Sequence, residues 1–213
     1  NIEEAETAKV TENIQRDVNI GLMNEIYTVC KKLDINFYNV FNLAATKWNF
    51  IKYKPGLVGG HCLPVDPYYL SYISRINKFK TKIILAGRNI NNLMEKNIYN
   101  EISKLISKKI FKNKKILICG LTYKENVADL RNSMQLEIFK KLKKNKKNIF
   151  GFDPILNKEV AKKYNLITSD KNFKKFDIYI ILTNHALIKK RIKKLSNDKA
   201  IFNIFNKNLE DNI

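Results

Sequence analysis

Cysteine, proline and glycine are scarce in this chain of 213 residues, which holds three, four and seven of them. Three cysteines, odd in number and unpaired in spacing, exclude a disulfide framework and point to a reducing compartment. No apolar run approaches membrane-spanning length and the N-terminus does not read as a signal peptide, so a cytoplasmic protein with no membrane partner is expected. Acidic side chains are also few: 20 Asp and Glu stand against 40 Lys and Arg, a formal charge of +20. Such a balance suggests nucleic acid or another acidic surface as partner. Yet no basic run interleaves with aromatics, and no nucleic-acid-binding motif is present. The lysines are spread along the chain, a compositional bias that also favours anionic nucleotide ligands. No nucleic-acid partner and no metal site are expected.

The scarce residues converge on one stretch. Three of the glycines and three of the prolines fall between Pro55 and Tyr69, in PGLVGGHCLPVDPYY. Glycine allows positive φ and close approach to the backbone, and proline stiffens the ends. The result is a fixed loop delivering one thiol, Cys62. If Pro64 opens a helix, Cys62 lies just before its N-terminus and Asp66 inside its first turn, where dipole and free amides favour a thiolate. The alternative is plain loop punctuation with Cys62 as buried filler. Cys30, among Ile26, Val29 and Leu33, and Cys119, in the apolar run 116–119, read as core.

Residues 1 to about 33 read as one helix with an apolar stripe, Val10, Ile14, Val18, Leu22 and Ile26. Beside it runs Lys9, Asn13, Asp17 and Gly21, which by itself is a solvated face. A second helix is expected from Phe37 to about Thr46, with Trp48, Phe50 and Tyr53 plugging the core. Helices follow over 68–77 and from Thr81 to about Phe111. Residues 1–111 are thus helical. From 112 to 213 the texture changes: strands at 115–121, 149–153, 176–182 and 201–204 alternate with helices at 133–143, 159–164 and from His185. That pattern predicts an α/β, Rossmann-like, doubly wound parallel sheet, whose ligands bind beyond the strands' C-terminal ends. The strand ending at Gly120 is followed by Leu-Thr-Tyr-Lys-Glu, not by Gly-x-Gly-x-x-Gly, so the backbone cradle for a pyrophosphate is missing.

Three segments share a resemblance. Gly56-Leu-Val-Gly-Gly-His-Cys-Leu-Pro-Val-Asp-Pro-Tyr-Tyr-Leu70, Ala8-Lys9-x-x-x-Asn13, and Gly120-x-x-Tyr123-Lys124-x-x-x-x-Asp129-x-Arg131-x-Ser133 resemble signatures of the UDP-glucose/GDP-mannose dehydrogenase family. The Gly-Gly-His-Cys and Asp-Pro-Tyr-Tyr-Leu variants are most similar to the branch acting on UDP-N-acetylhexosamines, including the Vi-polysaccharide type. The resemblance implies two NAD-dependent oxidations at C6 of a UDP-sugar, with a thioester to Cys62 between aldehyde and acid. It implies oxyanion donors in Lys9 and Asn13, and in Asp66 a group that orients or deprotonates the water or Cys62. Gly59, Gly60, Tyr53, Lys47, Tyr123 and Lys124 are then substrate-binding, and Arg131 reaches NAD phosphate. Arg88 and Asn91-Asn92 match a structural or interfacial element, and residues 1–111 a homodimerisation region. Thr183-Asn184-His185 fits the family's Thr-x-His. Asn203 stands where Asp is usual, and Phe205-Asn206 where Lys-Gly is usual. The family's NAD-binding domain would precede residue 1. The chain is therefore expected to be a half-length product, a split-gene partner of a separate NAD-binding half, or a fragment. A UDP-sugar-binding and dimerisation module without turnover is the alternative function, and a basic nucleic-acid-binding protein the remote one.

Overall fold

A computed structural model describes residues 1–196 and 198–205. The chain forms two compact units, Asn1–Met94 and a second starting at Glu95. The division falls inside a long helix.

In the first unit, α1 (Ile2–Lys32) begins with a capping box. The Asn1 side chain accepts the Glu4 N–H at 2.8 Å, and the Glu4 carboxylate takes the terminal amine at 3.0 Å. Glu3 and Glu4 in the first turn and Lys31 and Lys32 in the last complement the dipole. The packed face differs from the expected one. Asn13, Asp17, Gly21 and Asn24 are buried, whereas Leu22 of the apolar stripe is 49% exposed. The cause is α4 (Ile83–Ile106), which approaches α1 closely at two glycines. A Cβ on Gly21 would lie 2.8 Å from the Gly87 carbonyl oxygen.

Polar partners fill the rest of that contact. Arg88 Nη1 donates to Asp17 Oδ1 at 2.6 Å. Asn91 Nδ2 donates to both the backbone oxygen and Oδ1 of Asp17 at 2.8 Å. Asn24 Nδ2 donates to Asn91 Oδ1 at 2.8 Å. Burial pushes the Asp17 carboxyl up, with the Arg88 guanidinium opposing it.

Helix α2 (Phe37–Ala44) is capped by Asn36, which accepts from the amides of Tyr38 and Asn39. Phe37 is buried edge-on against Tyr27. Phe50 packs on Phe41, 5.7 Å between centroids. Trp48 does not plug the core; it is 94% exposed. Helix α3 (Asp66–Ile76) starts later than a Pro64 opening would give. The Cys62 carbonyl accepts the amides of Val65 at 3.0 Å and Asp66 at 2.9 Å, a turn that occupies residues 62–65. Pro67 is the proline in the helix's first turn.

Helix α4 ends at Ile106, where Lys146 Nζ takes the Ile106 carbonyl at 2.8 Å, and a separate 3₁₀ turn covers Lys109–Phe111. Its second half belongs to the second unit through buried Ile98, Ile102, Leu105 and Ile106. Glu95 also accepts from Lys141 at 2.6 Å, and Tyr99 from Asn145 at 2.8 Å.

The sheet of the second unit contains β1 (Ile116–Cys119), β2 (Ile149–Phe152), β3 (Leu166–Ile167), β4 (Ile178–Ile181) and β5 (Ala200–Asn203). The order is β3-β2-β1-β4-β5, all parallel, with α5 (Met134–Asn145), α6 (Lys158–Lys163) and α7 (Ala186–Ile192) along it. β3 was not expected; two half-buried residues give no periodicity to read. Leu117, Cys119, Phe152, Phe173, Tyr179 and Ile188 form the core. Burial raises the Cys119 thiol far above its ordinary range and the Tyr179 phenol to about 12. The Tyr179 hydroxyl donates to the Phe173 carbonyl at 2.5 Å. Cys30 is buried too. Among the described residues no helix is long and apolar enough to cross a membrane.

Candidate functional site

The polar ladder between α1 and α4 ends on the glycine loop. Asn24 grips Gly56 from both sides: its Oδ1 accepts the Gly56 amide at 2.8 Å, and its Nδ2 donates to the Gly56 carbonyl at 3.0 Å. Pro55, Leu57, Val58, Gly59 and Gly60 are buried behind that grip. Gly60 takes φ +90°, a value side chains other than glycine rarely adopt. Past it the chain emerges, with His61 exposed and Cys62 half-buried. Consecutive side chains of an extended segment point to opposite sides. The bend after Gly60 instead brings Cys62 Sγ to 2.9 Å from His61 Nδ1.

Asn13 and Asp66, 53 residues apart, meet directly: Asn13 Nδ2 donates to Asp66 Oδ2 at 2.7 Å. Asn13 is buried, so the stripe that reads as solvated points into the fold. Lys9 does not join this pair. Its ammonium is on Glu12 at 2.6 Å, with the side chain 66% exposed. Lys47 and Tyr53 line one groove with Asn19, Met23 and Phe50.

In the second unit, β1 and β4 lie side by side where the strand order reverses. Gly120 ends β1 at φ +77°, and a Cβ there would fall 2.0 Å from the Thr183 carbonyl oxygen. Buried Asp153, after β2, accepts the amides of Leu121 at 2.7 Å and Thr122 at 3.2 Å. His185 Nδ1 accepts the Asn126 amide at 2.8 Å. In the neutral ring the proton is thereby assigned to Nε2, which faces Thr122 Oγ1 at 3.0 Å and Asp153 Oδ2 at 3.3 Å. Ser133 Oγ donates to the Leu121 carbonyl at 2.5 Å. These contacts fix the loop whose tip holds half-buried Tyr123 and exposed Lys124. Arg131 is exposed, its guanidinium donating to both carboxylate oxygens of Asp129.

The residues present do not fit the pyrophosphate of NAD at the β1 edge, because Leu121 and Thr122, both buried, stand after Gly120 where a dinucleotide cradle needs a glycine-lined backbone. Among the described residues no group of three His, Cys, Asp or Glu could hold a metal ion. Asn203 closes β5; Asn206 lies outside the described residues. Sequence reasoning gave His61 and Asp153 no role. The Gly-Gly before His61 signalled the bend that makes its contact, and the strand end at Phe152 signalled a ligand-edge place for Asp153.

A helical unit that presents a thiol from a glycine loop is thus followed by a doubly wound parallel sheet. Sequence models narrow this. Residues 3–93 match the UDP-glucose/GDP-mannose dehydrogenase family, central domain, and residues 117–208 match its UDP binding domain. The chain belongs to that family. It is 42% identical over 189 residues to Protein CapL of Staphylococcus aureus, covering 86% of this chain and 44% of that protein. It is 39% identical over 192 residues to the UDP-N-acetyl-D-glucosamine 6-dehydrogenase of Salmonella typhi, covering 88% and 45%. Among solved structures, the UDP-N-acetyl-mannosamine dehydrogenase Cap5O from S. aureus superposes with a TM-score of 0.76 at 29% identity, over 98% of this chain and 52% of that one. The chain spans about half the length of the relatives it matches.

Proposed function

We propose that this chain is the thiol-bearing and UDP-sugar-binding part of an NAD-dependent UDP-N-acetylhexosamine 6-dehydrogenase, serving polysaccharide biosynthesis. The observation that carries the reading is the Asn13–Asp66 hydrogen bond. It joins the α1 stripe to the helix that starts four residues after Cys62. Cys62 as thiolate adds to the C6 aldehyde, forming the C–S bond while the carbonyl electrons move to oxygen. Asn13 Nδ2 is a donor for that oxyanion, and Lys9, released from Glu12, is a second. Asp66 accepts the Asn13 amide and orients the water that hydrolyses the thioester. NAD supplies the hydride acceptor; Arg131, freed from Asp129, is this chain's contact to its phosphate. Lys124 and Tyr123 take the UDP end of the substrate, with Lys47, Tyr53, Gly59 and Gly60 along the sugar. The helical unit makes a homodimer.

Thermal stabilisation by UDP, UDP-glucose and UDP-N-acetylglucosamine tests this, with NAD added separately. A ligand at one hundred times its Kd stabilises by about 2.7 kcal/mol. UDP compounds should raise the melting point, and Lys124→Ala should remove most of the rise. Equal responses in both proteins, or none in either, would count against the assignment.

A further inference from the structure

The mechanism above leaves one contact at the thiol unused: Asp66 is engaged with Asn13, and the group touching Cys62 Sγ is the His61 ring, 2.9 Å away at Nδ1. We propose that His61 is a catalytic residue, the base that takes the Cys62 proton. The inference rests on the reading of Cys62 as nucleophile. It assigns the activation of that nucleophile to the neighbour in sequence rather than to Asp66.

A thiol is a donor, and neutral imidazole accepts at one ring nitrogen. With the ring proton on Nε2, Nδ1 faces the thiol. In the transfer the S–H bond breaks, its electron pair stays on sulfur, and an N–H bond forms at Nδ1. The products are a thiolate and an imidazolium, whose charges stabilise each other at contact distance. Three features of the loop suit this role. The bend after Gly60, at φ +90°, puts both side chains on one side of the chain. The buried run Leu57–Gly60 and the Asn24 grip on Gly56 hold the preceding backbone still. The ring itself is exposed, so the acquired proton passes to solvent or to a leaving group without a buried relay. The other cysteines do not compete, since Cys30 and Cys119 are buried.

The test needs neither UDP-sugar nor NAD, so it is separate from the binding test of the function. Alkylation of Cys62 by iodoacetamide, which forms a C–S bond and expels iodide, is followed by mass spectrometry on the 213-residue chain from pH 5 to pH 9. Cys62→Ser supplies the background, and His61→Gln is the variant, at an exposed position that tolerates change. The native chain should keep reacting at low pH through the ion pair. His61→Gln should be slower by at least tenfold at pH 6, with the two rates converging near pH 9. Identical profiles would overturn the proposal. So would a loss by the same factor at every pH, which would make His61 a shaper of access and not a base.

Discussion

Replacing Arg88 with methionine tests the polar contact between α1 and α4 most directly. Arg88 and Asp17 are both fully buried, and their 2.6 Å ion pair is what neutralises each. Methionine keeps the apolar stem but leaves the Asp17 carboxylate without a counter-ion. Breaking a buried pair from one side costs about 3–5 kcal/mol. Asp17→Asn should cost a similar amount, now by stranding the guanidinium. The double variant Asp17→Asn/Arg88→Met removes both charges and keeps an acceptor for Asn91. It should recover to within about 1 kcal/mol of the native chain, because Arg88 Nε and Nη2 and Asp17 Oδ2 find no partner among the described residues even in the native pair. Urea unfolding followed by circular dichroism measures all four proteins. The pH dependence adds a sign. Burial raises the Asp17 carboxyl above its ordinary 3.8, with Arg88 opposing. Without Arg88 the opposition is gone, and the folded state holds a proton that the unfolded state releases. Stability from that proton is complete below the ordinary carboxylate range and lost as pH rises through the raised folded value. The deficit of Arg88→Met should therefore be smallest near about pH 4 and largest at neutrality. A deficit under about 1 kcal/mol, or one that ignores pH, or a double variant no better than the singles, would refute the argument.

Two further outcomes follow from single contacts. Gly120→Ala forces a Cβ to 2.0 Å from the Thr183 carbonyl at positive φ, so the second unit should lose several kcal/mol, about 3 or more, in denaturant unfolding. Asn24→Ala strips both polar groups of half-buried Gly56 and the buried Asn91 Oδ1 of their partner, at about 1–3 kcal/mol for the buried Asn91 oxygen and less for each Gly56 group; amide exchange at Gly56 and Gly60 should accelerate well before global unfolding.

The elements that a sequence reader places best here are those whose signal is local. The strand at Ile116–Cys119 is a solid apolar run before a glycine, and α1 is long and continuous. What stayed hidden depends on a distant partner. The Asn13, Asp17 and Gly21 stripe looks solvated until Gly87, Arg88 and Asn91 are laid against it; Arg88 stands 71 residues after Asp17 in the chain. Asp153 gains meaning only when β2 lies beside β1, which brings the Leu121 and Thr122 amides to its carboxylate. Trp48 reads as core from hydrophobicity alone, and nothing local says that no neighbour covers it. Two prolines compete for one helix start, and the backbone turn closed by the Cys62 carbonyl decides for Pro67.

The ladder Arg88–Asp17–Asn91–Asn24–Gly56 also acts as a key. An apolar seam between two helices tolerates sliding, since one leucine fits a neighbour's place with modest loss. Directional bonds at fixed spacing do not. Moving α4 by one turn, about 5.4 Å along α1, would break every rung that Arg88 and Asn91 make and drive side chains into the glycine crossing. Because the last rung is the backbone of the glycine loop, the helix register and the placement of Cys62 are one quantity: whatever holds α1 and α4 in step also aims the thiol.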